Sequence, residues 1–228
     1  MKKTFLLSCL MLAAMPVMAA YTGHVYVDKN KNGVFDQSEK PLAGIKVSDG
    51  LNVVETAADG SFTLPGHERE RFIFITTPSG YKTFNRHYHK IEKKQSGYDF
   101  GLIPYSGRIR KDGSHRYIHI TDTEIFNTEN HADWVNNVRD YARNEQAAFI
   151  IHTGDICYEK GLKAHIKLMN TENMDCPVFY CIGNHDLVKG KYGEELFESI
   201  YGPVYYSFDA GNVHYIVTPM PGGDHAPG

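Results

Sequence analysis

Three short apolar runs, each ending in polar residues and separated from the next by a stretch of helical periodicity, constrain this chain more than any other feature. Tyr117 to Thr121, Ala148 to His152 and Pro177 to Ile182 read as strands. Between them, Asn130 to Asn144 carries Trp134, Val135, Val138, Tyr141 and Ala142 at helical spacing. Gly161 to Asn170 sets Leu162, Ile166 and Met169 facing inward. A helix over Glu194 to Ile200 follows, then a hairpin in which Tyr205 to Phe208 turns at Ala210-Gly211-Asn212 into Val213 to Thr218. Strands that alternate with helices are joined by crossovers, so the first three are expected to lie parallel in an α/β sheet. Ligands bind such sheets just beyond the carboxyl ends of the strands.

From Tyr21 to about Ile103 the texture is different. Short alternating or apolar runs (His24 to Val27, Ile45 to Ser48, Asn52 to Thr56, Ser61 to Leu64, Arg71 to Thr76, Tyr98 to Ile103) are divided by Asp49-Gly50, Asp59-Gly60 and Pro78-Ser79-Gly80. That pattern predicts a small all-β sandwich over 21–104. Residues 105–114, rich in Gly, Arg and Lys, read as a linker to an α/β part over 115–228. In the first loop of the sandwich, Asp28, Asn30, Asn32, Gly33, Asp36 and Glu39 occupy positions 1, 3, 5, 6, 9 and 12 of the twelve-residue calcium loop pattern. Strands rather than helices flank it, so calcium is weighed against a polar turn that needs only Gly33.

The first twenty residues combine Lys2 and Lys3, an apolar run from Phe5 to Ala14 and a small-residue pattern at Val17-Met18-Ala19, which predicts a signal peptide over 1–20. Leu6-Leu7-Ser8-Cys9 is faintly similar to a lipoprotein acylation site, but the short apolar run before Cys9 favours cleavage near Ala19 or Ala20. The expected location is periplasmic or extracellular, and no stretch approaches a transmembrane span. Without the signal the chain carries 22 basic against 27 acidic side chains, a net −5, which does not recruit nucleic acid by bulk charge. The basic runs Arg86 to Lys94 and Arg108 to Arg116 read as solvated loops. Cys157, Cys176 and Cys181 form no disulfide framework; Cys176 and Cys181 flank an extended run, leaving buried thiols or a bridge from Cys157. Nothing sets the oligomeric state.

The ends of the three expected parallel strands carry Thr121-Asp122-Thr123-Glu124, Thr153-Gly154-Asp155 and Gly183-Asn184-His185-Asp186. Each alone is an ordinary helix cap or turn. They recur, however, at intervals of 33 and 29 residues, one βα unit each. Carboxylate and amide oxygens beside an imidazole suit Mn²⁺, Fe²⁺, Zn²⁺ or Mg²⁺.

On these residues the stretch from His115 to Pro219 resembles a calcineurin-like metallophosphoesterase, a family marked by Asp-x-His, Gly-Asp and Gly-Asn-His-Asp/Glu and later by a Gly-His-x-His. The stretch from His24 to Val47, followed by Ala57-Ala58-Asp59-Gly60-Ser61-Phe62, resembles carboxypeptidase-regulatory-like and bacterial surface B-type sandwiches, and the whole sandwich resembles the domain that precedes the catalytic one in some secreted bacterial members. The resemblance implies two divalent cations and hydrolysis of a phosphorylated small-molecule or surface substrate. It implies that Asp122 binds the first metal, Asp155 bridges both and Asn184 binds the second. His185 becomes the acid at the leaving oxygen or a stabiliser of the phosphoryl group, and Asp186 orients its ring. Glu124 stands where the family has His; it is a first-metal ligand or a helix-capping side chain. Beyond the hairpin the family calls for further histidines, and His214 and His225 lack the Gly-His-x-His setting. The resulting expectation is an incomplete domain with weak or no activity. The alternative is a non-catalytic secreted binding protein, or a fragment retaining only the sandwich role. His119 and His152 are expected as core or interface side chains, and Tyr205 and Tyr206 as packing.

Overall fold

The computed structural model describes residues 20–84, 86–105, 108–156, 158–189 and 193–219. The expected signal peptide apart from Ala20, the acylation question at Cys9, the pairing of Cys157 and the tail with His225 lie outside the described residues. Cys176 and Cys181 are free, and burial raises both thiols to about 11.

Among the described residues nine strands build the first half: β1 (Ala20–Val27), β2 (Lys40–Pro41), β3 (Lys46–Ser48), β4 (Val53–Glu55), β5 (Ser61–Pro65), β6 (Phe72–Ile75), β7 (Tyr81–Thr83), β8 (Tyr88–Lys90) and β9 (Phe100–Pro104). One sheet runs β2-β1-β9-β7, with β5 also paired to β1; the other runs β4-β3-β6-β8. Between them lie Val25, Val47, Phe62, Leu64, Ile73 and Ile75. The apolar run of β6 is buried on both faces, as a strand covered on two sides must be. Ile73 and Ile75 face the sandwich core, while Phe72 and Phe74 face the second half of the chain.

That second half contains β10 (Tyr117–Ile120), α1 (Ala132–Asn144), β11 (Phe149–His152), α2 (Glu159–Leu168), β12 (Val178–Tyr180), α3 (Glu195–Tyr201), β13 (Tyr206–Ala210) and β14 (Val213–Val217). β10, β11 and β12 are parallel and adjacent, with Ile118 opposite Ile150 and Ile150 opposite Val178; β13 and β14 form the antiparallel hairpin. The fold is thus an N-terminal β domain followed by an α/β part.

An aromatic layer joins the halves. Phe72, Phe74 and Tyr88 meet Phe149, Phe179 and Phe208, and the Phe179 and Phe208 rings stack with centroids 3.5 Å apart. Main-chain pairing crosses the same seam, where Asp209 N–H donates to Thr77 O at 2.9 Å. At its edge Arg71 of the sandwich reaches Glu194 Oε1 at 2.9 Å and Glu198 Oε2 at 3.1 Å, the latter on α3.

Several sequence expectations change. The run Arg86 to Lys94 is not a loop throughout, because Tyr88 fills the aromatic layer and draws β8 into register with β6. Its His89 lies opposite Ile73, and His87 packs against Tyr206 at 4.4 Å between centroids. Arg108 is not solvated either: its side chain is 10 % exposed and donates to Ala147 O at 3.0 Å. On α1, Val135 and Ala142 are buried, whereas Trp134 and Tyr141 are 41 % and 60 % exposed. The buried stripe is narrower than the apolar one. His119 is exposed on β10, an edge strand among the described residues, rather than buried in a core.

Candidate active site

The loops that leave β10, β11 and β12 are brought together by two glycines. A Cβ on Gly154 would lie 2.5 Å from Gly183 N, and one on Gly183 would lie 2.2 Å from Asp155 N and 2.3 Å from Asp155 Oδ1. Neither clash can be relieved by turning a flexible side chain, so a bare backbone is needed where the second and third loops cross. Gly154 also has φ +101°. Gly154 O accepts from Asp122 N–H at 3.2 Å, tying the first loop to the second.

The acidic residues sit on unusual backbone. Asp122, Glu124 and Asp155 have φ of 53°, 43° and 53°. The left-handed region costs an ordinary L-residue about 1–2 kcal/mol, and such strain gathers at functional sites. Asp122 Oδ2 accepts from Thr121 Oγ1 at 2.6 Å. Asp155 Oδ1 accepts the backbone N–H of His185 at 3.1 Å, so this carboxylate already spans the second and third loops. Asn184 is exposed at the same corner.

His152, the last residue of β11, lies beneath these loops. Its Nδ1 accepts from Gly154 N–H at 3.3 Å, which leaves Nε2 to donate to Thr123 Oγ1 at 3.0 Å. Burial lowers its pKa to about 4, against the opposing pull of Asp122. A neutral imidazole therefore braces the first and second loops, and the expected core position is what the structure shows.

The third loop is a single 3₁₀ turn, Asn184–Asp186. Asp186 is fully buried and its Oδ2 accepts Gly183 N–H at 2.9 Å. In this bond it holds the loop backbone that carries His185. The His185 ring lies between two other groups: it stacks on Tyr158 with centroids 5.3 Å apart, and its Nδ1 is 3.7 Å from Glu124 Oε1. That Nδ1 is buried without a hydrogen-bond partner, so it is aimed at the acidic corner without being committed there. Tyr158 carries no motif that marks it in the sequence; only its place at the N-terminus of α2, beside the Gly154-Asp155 loop, pointed to this corner.

Asp155, Glu124 and the Asn184-His185 loop are thus neighbours, and Asp122 joins them through Gly154. The carboxylates are not crowded: among the described residues, no three Asp, Glu, His or Cys donors at this end lie within 4.8 Å of one another. His214 is engaged by Asp209 Oδ1 at 2.7 Å. As chemistry, carboxylate and amide oxygens with one imidazole and no thiolate fit hard or borderline divalent cations. Asp122, Asp155 and Asn184, with Glu124, would hold them.

A parallel sheet whose successive strand ends present carboxylate, carboxylate and amide-imidazole offers donors of the kind divalent cations take. Two family models match the chain: the N terminal of calcineurin-like phosphoesterase over residues 29–104, and calcineurin-like phosphoesterase over residues 115–223. The chain belongs to the calcineurin-like phosphoesterases, a family of metal-dependent phosphoester hydrolases. No curated protein matches it. No helix among the described residues is long and apolar enough to cross a membrane.

Proposed function

We propose that this chain hydrolyses phosphate esters of small-molecule or surface-borne substrates at the corner formed by Asp122, Asp155, Asn184 and His185. The observation that supports this most is Asp155, which stands on strained backbone, is pinned to the third loop through His185 N–H, and is hemmed in by two glycines. Divalent cations held there activate water and neutralise phosphate charge. Asp122 and Glu124 would serve one ion, Asn184 the other, and Asp155 both. His185, steadied by Tyr158 and facing Glu124, would donate a proton to the leaving oxygen. Asp186 keeps the His185 loop in place through Gly183. Export by the N-terminal segment and calcium on the loop from Asp28 to Glu39 belong to the same proposal, as does the division near 105–114.

The test is p-nitrophenyl phosphate turnover with added Mn²⁺. Turnover should vanish with a chelator, return with Mn²⁺, and fall by about 10²–10³ in Asp155→Asn, as losses of a key charge-stabilising group do. A second reading, a binding protein in which only the sandwich acts, is favoured by the spacing of the donors. It requires the wild type and Asp155→Asn to be equally inert and His185→Ala to leave the biological role intact.

A further inference from the structure

We propose that Asp49, His67 and Glu70 form a separate divalent-cation site in the β domain, suited to zinc and independent of the strand-end corner. Asp49 lies in the turn between β3 and β4; His67 and Glu70 lie in the turn between β5 and β6. The two turns come to the same end of the sandwich, and the His-x-x-Glu spacing sets two donors on one of them. One ligand atom from each of the three residues falls within 4.8 Å of the others.

Burial separates this trio from an ordinary acidic patch. Asp49 is fully buried and the His67 side chain is 10 % exposed. His67 Nε2 is buried without a hydrogen-bond partner and stops 3.6 Å from Asp49 Oδ1, too far for a hydrogen bond. Among the described residues no Lys or Arg pairs with Asp49 or Glu70. A buried carboxylate needs an opposing charge, and a cation between Nε2 and the carboxylate oxygens supplies it.

The carboxylates are already oriented. Asp49 Oδ1 accepts from Leu51 N–H at 2.9 Å and Asn52 N–H at 2.7 Å, and its Oδ2 from Asn52 Nδ2 at 2.9 Å. Glu70 accepts from the Tyr21 hydroxyl and from His67 N–H. Such outer hydrogen bonds hold ligands in place and sustain metal affinity. Ligation at Nε2 moves the ring proton to Nδ1 and displaces the 3.2 Å bond from Arg69 N–H. Arg69 is exposed, so its amide can turn to water.

One nitrogen and two carboxylates suit Zn²⁺ better than Ca²⁺ or Mg²⁺, which take oxygens. Three protein donors leave a position open, and an open cavity of about 650 Å³ bordered by Tyr21, His67, Glu70 and Lys94 adjoins it.

The experiment uses the full chain carrying Asp122→Asn and Asp155→Asn, which disables the strand-end corner. Calorimetric titration of the chelator-treated protein with Zn²⁺ should find one ion per chain, and X-ray absorption should show nitrogen and oxygen ligands only. Adding His67→Gln or Glu70→Gln should weaken binding at least about 100-fold, and Tyr21→Phe, which removes only an orienting bond, about tenfold. Circular dichroism checks that each variant folds, and Tyr21→Phe tests the site if a ligand variant does not. Absence of Zn²⁺ binding in the parent, or equal affinity in the parent and the folded variants, overturns the proposal.

Discussion

Two acid-bearing regions with similar motif content use their oxygens in opposite ways. In the loop from Asp28 to Glu39, the carboxylates serve the chain itself. Asp28 accepts the backbone N–H groups of Asn32 at 3.2 Å and Gly33 at 2.9 Å, and Glu39 those of Lys29 at 2.8 Å and Asp36 at 3.2 Å. At the strand ends Asp155 takes one backbone N–H and Asp122 a hydroxyl, while three acids stand on left-handed backbone. Left-handed backbone occurs in both, at Lys31 (φ 58°) in the first and at the acids in the second, so what separates them is where the oxygens go: acids that satisfy their own loop's amides build structure, and acids left uncommitted are poised for chemistry.

Exchanging the damage breaks or sharpens this contrast. Asp155→Asn should remove metal-dependent turnover by about 10²–10³ while shifting the denaturant midpoint little. Asp28→Ala should leave turnover intact and cost about 1–3 kcal/mol, because the buried carboxylate that accepts Asn32 N–H and Gly33 N–H is lost. Urea unfolding and Mn²⁺-supported hydrolysis on both variants decide the matter. Large stability loss in Asp155→Asn, or lost activity in Asp28→Ala, would erase the distinction.

Gly183→Ala comes next, since it attacks the crossing on which the corner depends. With the new methyl 2.2 Å from Asp155 N, the loops must part. The expected cost is about 1–3 kcal/mol, as for overpacking, with activity falling further than stability accounts for because Asp155 is displaced. Unchanged turnover would show that the close approach does not position the acid.

What the sequence made legible follows from which interactions are local. The alternation of apolar runs with helical periodicity predicted β10, α1, β11, α2, β12, α3 and the hairpin in order, since each element declares its own pattern. β7 and β8 did not declare themselves: Tyr81–Thr83 and Tyr88–Lys90 are strands because β9 and β6 pair with them. Trp134 and Tyr141 share a helical stripe with Val135 and Ala142, and spacing alone does not say which edge of a wide stripe is covered. The acids, Asn184 and His185 could be picked out by type and interval. Their separations could not, because those depend on Gly154 meeting Gly183. Asp49, His67 and Glu70 were invisible, since sheet pairing alone brings their two turns together.

The seam between the halves offers a smaller effect. Burial raises the Glu198 carboxyl from 4.5 to about 7, outweighing Arg71 and assisted by Glu194. Between those pH values the folded chain keeps a proton that the unfolded chain has released. Glu198 therefore stabilises the fold fully below about pH 4.5, and that contribution is lost as pH rises through about 7. Thermal melts from pH 4.5 to 8 should show Glu198→Gln gaining on the wild type as pH rises. A constant difference would mean the carboxyl titrates alike in both states.

The smallest expected effect returns to the Asp28 to Glu39 loop. Asp36 Oδ2 receives the side-chain amides of Asn30 at 2.7 Å and Asn32 at 3.0 Å, so an oxygen that a cation would need is already in use. Calcium must displace both, and much of its binding energy goes into that exchange, which points to the weak end of the calcium-loop range. With a Kd of about 10⁻⁴ M, 1 mM Ca²⁺ stabilises by roughly 1.4 kcal/mol. For a chain of this size that is a rise in Tm of about 3–6 °C. Mg²⁺, which demands tighter octahedral geometry, should do less, and Asp36→Ala should abolish the rise. No shift in the wild type would mean that the loop's oxygens are fully used by its own amides, which would carry the contrast with the strand ends to its limit.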